Sequence, residues 1–153
     1  MRFMRRKILR DPMPPENVAA GWALGMFVGC AIPFGLQLVV SVPLAVLMKV
    51  SKIGATFGTL ITNPVTIVFI YPLQTWAVNT LLFGGSLSLS NLMSTDWTWE
   101  AVCDLGPKVM ASFFLGGISL AAIMTPITYF VVLGIVLEAR KAKAARVSKT
   151  EEK

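Results

Sequence analysis

The sequence contains no histidine and only two cysteines, Cys30 and Cys103. Without histidine the chain lacks the commonest acid–base side chain and the commonest metal ligand. Serine–histidine and cysteine–histidine nucleophile machinery is excluded with it. Two cysteines alone cannot build a zinc site of the usual four-ligand kind, and so far apart they carry no redox message. No glycine-rich phosphate loop of the Walker type occurs. The expectation is a protein that is not an enzyme and that carries no cofactor or metal. Charge is also scarce: 14% of residues are charged against 55% hydrophobic. Soluble domains carry about 25% charged residues, so this chain of 153 residues cannot be clothed in water. Its mean hydropathy of +0.69 excludes disorder, which needs low hydrophobicity and high net charge. One domain is expected from the length, and the solvent it implies is lipid.

What charge there is has a pattern. Of 14 Lys and Arg, Arg2, Arg5, Arg6, Lys7 and Arg10 lie at the start, and Arg140, Lys141, Lys143, Arg146, Lys149 and Lys153 at the end. Basic tails beside apolar sequence pair with anionic lipid headgroups and set orientation. Nucleic acid is not an expected partner, because no aromatic and basic residues interleave as recognition requires. The chain divides into a basic segment 1–16, a membrane domain 17–138 with an acidic outer loop at about 84–106, and a basic tail 139–153.

Three stretches are free of charge: 17–48, 53–95 and 109–137. A helix needs about 20 residues to cross a hydrocarbon core of about 30 Å. The first stretch is too long for one span and short for two, and Ile32-Pro33-Phe34-Gly35 breaks its middle. Arg10 precedes it, and Lys49 and Lys52 follow. A hairpin that enters and leaves on the same, cytoplasmic side satisfies length, break and charge together, and it need not span fully. In the second stretch a helix over 53–62 meets Asn63-Pro64, where the residue before proline leaves the α region. Residues 65–83 follow as a full span, and 86–92 reads as a loop or short extended piece. Trp97 and Trp99 suit a membrane interface. Asp96, Glu100 and Asp104 recur on one face of a short helix, a solvated face rather than a metal site. The last span runs from about Lys108 to Leu137 with a kink expected at Pro126. Both termini are placed in the cytoplasm of an inner membrane. A lipoprotein signal ending at Cys30 is disfavoured by Asp11, Pro12, Pro14, Pro15 and Glu16, which separate the basic start from the apolar run. Residues 1–10 read instead as a basic amphipathic segment on the inner surface.

Small residues recur at helical spacing. Gly21, Gly25 and Gly29 make two overlapping GxxxG steps, Gly54 and Gly58 a third, and Ser112 and Gly116 a related pair. In lipid, such faces let helix backbones approach closely, within one chain or in a homo-oligomer. The two helix breaks carry neutral polar groups: Pro33, Gly35 and Gln37 at one, Thr62, Asn63, Pro64 and Thr66 at the other. Backbone freed by a break must be satisfied by protein or by a water-lined cavity, and transporters place substrate sites at such breaks. These seven residues are the candidate substrate or lipid site, and repair of the freed backbone is the plainer role. Lys49 and Lys52 are candidate headgroup contacts at the cytoplasmic interface.

The run from Gly25 and Gly29 through Pro33-Phe34-Gly35-Leu36-Gln37, followed by Gly58-Thr59-Leu60-Ile61-Thr62-Asn63-Pro64-Val65-Thr66, resembles a bacterial membrane family known as domain of unknown function 2062. The resemblance covers about residues 8–138. It implies a small multi-helix inner-membrane protein whose defining positions include Pro33, Gly35, Gln37, Asn63, Pro64 and Thr66. It implies no activity and no catalytic residue. Ser51-Lys52-Ile53 departs from the family pattern, where asparagine is common.

The fold expected is all-α and integral to the membrane, with proline- or glycine-broken or re-entrant hairpins and two fuller spans. The function expected is transport or lipid handling, with membrane lipids as partners. The alternative is an accessory subunit that docks a larger membrane complex through its glycine faces.

Overall fold

The computed structural model describes residues 11–33, 35–60, 64–84, 88–95, 97–104 and 106–151. All regular structure among them is helical: α1 (Pro15–Ala31), α2 (Gln37–Leu47), α3 (Lys52–Thr59), α4 (Pro64–Phe83), α5 (Leu89–Met93), α6 (Trp99–Asp104) and α7 (Pro107–Glu151). Phe34, Thr62, Asn63, Asp96 and the basic residues 1–10 lie outside the described residues.

Proline and glycine punctuate the chain. Pro15 opens α1, where its missing N–H and fixed φ cost nothing. Ile32 is extended (φ −117°, ψ 135°), as a residue before proline must be. Gly35 then turns the chain at φ 98°, and α2 returns beside α1. The N-cap of α3 is Ser51, whose Oγ accepts from the Gly54 amide at 2.8 Å. Gly106, at φ 88°, hands the chain to Pro107, the first residue of α7. That helix continues through Pro126 and on to Glu151, so residues 139–151 of the basic tail extend it without a structural break.

The central element is α1. Twelve of its 17 residues are buried. Against it, α7 runs antiparallel: Ala121 packs with Met26 and Cys30, and Val132 and Val136 with Val18, Ala19 and Trp22. On another side α3 runs parallel to α1, Gly54 beside Val18 and Trp22, and Gly58 beside Trp22 and Gly25. The backbones touch here. A Cβ on Gly25 would lie 2.2 Å from the Ala55 carbonyl oxygen, and one on Gly58 would lie 2.4 Å from that of Trp22.

One end of the bundle is tied together by polar groups. The Ser51 amide donates to the Asn17 carbonyl at 3.1 Å, and Asn17 Nδ2 to the Lys49 carbonyl at 3.2 Å. Ser51 Oγ also donates to the buried Asp11 carboxylate. Arg140 Nη2 donates to the Asp11 and Met13 carbonyls. The start of α1, the α2–α3 turn and the Arg140 turn of α7 therefore share this end.

Two expectations change. Residues 89–93 form a helical turn rather than a loop or extended piece, because Leu92 is drawn into the core as an anchor. Trp97 was expected at a membrane interface, yet it is buried at 4% exposure. Its ring stacks on Phe113 at 5.4 Å, and its Nε1 donates to the Leu92 carbonyl at 3.2 Å. Glu100 and Asp104 lie exposed on α6.

Candidate functional site

The break after α1 leaves its last carbonyls without intrahelical donors. Gln37, the first residue of α2, is 4% exposed and points back at them. Its Nε2 donates to the carbonyls of Gly29 at 3.0 Å and Ile32 at 3.1 Å. It also approaches Tyr71 Oη at 2.6 Å. Tyr71, fully buried on α4, faces the same two carbonyls at 3.0 and 2.8 Å. One turn further along α4, Gln74 Nε2 donates to the Cys30 carbonyl at 3.3 Å. A glutamine, a tyrosine and a second glutamine thus close the end of α1. Pro33 is buried in the turn beside them, and Gly35 supplies the conformation that lets Gln37 double back.

The same α4 face carries further polar groups toward α7. Thr75 is 0% and Asn79 1% exposed. Asn79 Nδ2 donates to Ser112 Oγ at 3.3 Å, and Ser112 Oγ donates to the Lys108 carbonyl at 2.8 Å. Gly116 makes the approach possible, since a Cβ there would lie 2.6 Å from the Gln74 carbonyl oxygen. Gly117 does the same for α1, at 2.6 Å from the Cys30 carbonyl oxygen. Along this face Gln74 Oε1, Thr75 Oγ1 and Asn79 Oδ1 are buried and meet no hydrogen-bond partner among the described residues. A buried unmatched polar atom costs about 1–3 kcal/mol. Beside the stripe, Tyr71, Trp97 and Phe113 form an aromatic cluster, with Tyr71 and Phe113 edge-to-face at 5.0 Å.

The residues singled out from the sequence separate in space. Pro33, Gly35, Gln37 and Gly29 belong to the node at the end of α1, Gly29 through its carbonyl. Gly21, Gly25, Gly54 and Gly58 line the α1–α3 contact. Pro64 opens α4, and Thr66 lies half-buried in its first turn. Thr62 and Asn63 lie outside the described residues. Lys49 and Lys52 are exposed at the tied end and line a cleft of about 390 Å³. Sequence reasoning missed Tyr71, although a phenol in a charge-free stretch signals a buried partner. Gln74, Asn79 and Thr80 are legible in the sequence as polar positions that either line a cavity or bond between helices, whereas Thr75 gives no such signal.

These features define an all-helical chain in which two helices, over Val65–Phe83 and Pro107–Ala145, are long and apolar enough to cross a membrane. The chain belongs to the bacterial family described as "uncharacterized protein conserved in bacteria", domain of unknown function 2062, whose model matches residues 1–145. No curated protein and no solved structure matches it.

Proposed function

We propose that this chain is a non-enzymatic integral protein of the bacterial inner membrane, and that it passes a small uncharged polar molecule through its interior. Its burial pattern supports the membrane placement. Side chains such as Leu47, Val65 and Leu81 are 77%, 72% and 81% exposed, while Gln37, Gln74 and Asn79 are interior. Water would penalise that arrangement on both counts. The basic tails favour a cytoplasmic position for both ends, and the meeting of Asp11 with Arg140 at one end supports a shared side. The α1–α2 pair reads as a re-entrant hairpin. With 11 residues, α2 is only about 16 Å long at about 1.5 Å per residue, short of a crossing.

The observation that carries the transport reading is the α4 stripe of Gln74, Thr75 and Asn79, with buried oxygens that lack donors. A hydrogen-bond-donating neutral molecule, or water itself, satisfies them. An ion does not suit the stripe, because stretches 53–95 and 109–137 hold no charge to offset its desolvation. Gln37 does not serve this site directly, since its amide is committed to the end of α1. The accessory-subunit reading loses support, because the glycine faces of α1 and α3 occupy each other.

The test is flux into proteoliposomes, followed by light scattering after an osmotic step with water, glycerol or urea. The double change Thr75→Val with Asn79→Leu should return permeability to that of protein-free vesicles while the protein stays folded. Equal flux through wild type and the double variant, or none through either, overturns the reading.

A further inference from the structure

The tied end of the bundle contains a conformational oddity. α2 ends in a paired-hydrogen-bond turn: the Lys49 amide donates to the Val46 carbonyl at 3.1 Å and the Val50 amide to that of Ala45 at 3.0 Å. This turn places its pivot residue in the left-handed region, where glycine is the usual occupant. Here the pivot is Lys49, at φ 55°, the one non-glycine residue with positive φ among those described. A side chain at this position strains the backbone, which glycine would relieve. Folding of the turn therefore does not explain the lysine.

Its surroundings offer an explanation. Lys49 and Lys52 border the cleft of about 390 Å³, whose other walls include Met13, Val46, Val50 and Ile53. That volume falls within the range of about 300–1,000 Å³ typical of small-ligand sites. Asp11 also lines the cleft, but its carboxylate accepts from Ser51 Oγ and from the Met13 amide at 3.1 Å. Arg140 adds positive charge through the Asp11 and Met13 carbonyls. The balance around the cleft is positive. Two of its apolar walls are themselves exposed, Val46 at 48% and Ile53 at 43%. Free phosphate would use the ammonium groups and waste the apolar walls.

We infer that this cleft binds one anionic phospholipid, the phosphodiester between Lys49 and Lys52 and the upper acyl chain along Val46, Val50 and Ile53. The inference rests on the membrane placement proposed above but not on the polar stripe, none of whose residues lines the cleft. On this inference the strained lysine serves to present an ammonium to the lipid phosphate.

The experiment is native mass spectrometry of the full chain released from detergent, with phosphatidylglycerol or phosphatidylcholine of identical acyl chains. Wild type should retain one phosphatidylglycerol with at least tenfold preference. Lys49→Gly and Lys52→Gln should each reduce that preference several-fold, and the pair together should erase it. Lys141→Gln with Lys143→Gln, on the exposed tail, should leave it intact. Lys49→Gly should also melt at or above the wild-type temperature, so that lost binding is not lost folding. Equal retention of the two lipids, an unchanged preference in the double variant, or displacement of the lipid by glycerol phosphate overturns the inference. A lowered melting temperature for Lys49→Gly does so too, because the lysine would then serve the fold. A chain that stays monodisperse in water without detergent would instead refute the membrane placement.

Discussion

The α1–α3 and α4–α7 contacts solve the same problem by opposite means. Between α1 and α3 the side chains are removed: Gly21, Gly25, Gly54 and Gly58 bring backbone against backbone. Between α4 and α7 one glycine, Gly116, opens the approach, and the rest is filled by Tyr71, Thr75, Asn79, Ser112 and Phe113. In lipid, association depends on packing and hydrogen bonds rather than on escape from water. The first contact relies almost wholly on packing and has no room for change. The second mixes packing with polar groups, and some of those are unmatched. Under the function proposed above, the rigid contact holds shape and the imperfectly satisfied one meets the ligand.

Mutation should expose that difference. The largest effect belongs to Gly25→Ala. Overpacking costs about 1–3 kcal/mol, and a methyl 2.2 Å from a carbonyl oxygen belongs at the upper end or beyond. The expected result is a large fall in the melting temperature in detergent, or no folded protein. Next comes the node that joins the two regions. Gln37→Leu should cost about 1–3 kcal/mol by stripping donors from the Gly29 and Ile32 carbonyls. Tyr71→Phe should cost less, since Gln37 stays in place. Denaturant titration of both variants orders them. The smallest effect belongs to Asn79→Leu, at about 1 kcal/mol or less in either direction, because it removes an unmatched oxygen while Ser112 keeps its bond to the Lys108 carbonyl. A penalty for Asn79→Leu as large as that for Gly25→Ala would erase the distinction between the two contacts.

The sequence revealed the rigid contact better than the other. Spaced glycines in an apolar run are a local pattern, and so is the break at Pro33 and Gly35. Both can be read without knowing what lies alongside. The identity of the partner cannot: nothing near Gly25 names Ala55 or Gly58. The node is further from view, because Gln37 meets Tyr71 across 34 positions. Trp97 shows the limit most clearly. A tryptophan beside acidic residues suits an interface, but Phe113 and Leu92 bury it, and only the folded chain brings them together. The short helix at Leu89–Met93 was hidden by the alternating serines at 86, 88 and 90, since its stability comes from Leu92 rather than from helix propensity.

The phenol of Tyr71 also bears on how the chain is made. The carbonyls of Gly29 and Ile32 are synthesised about 40 positions before the hydroxyl that meets them. Until α4 leaves the ribosome, Gln37 alone serves the end of α1. Under the membrane placement proposed above, unmet carbonyls are poorly tolerated in hydrocarbon, so the end of α1 is completed only once α4 has been made.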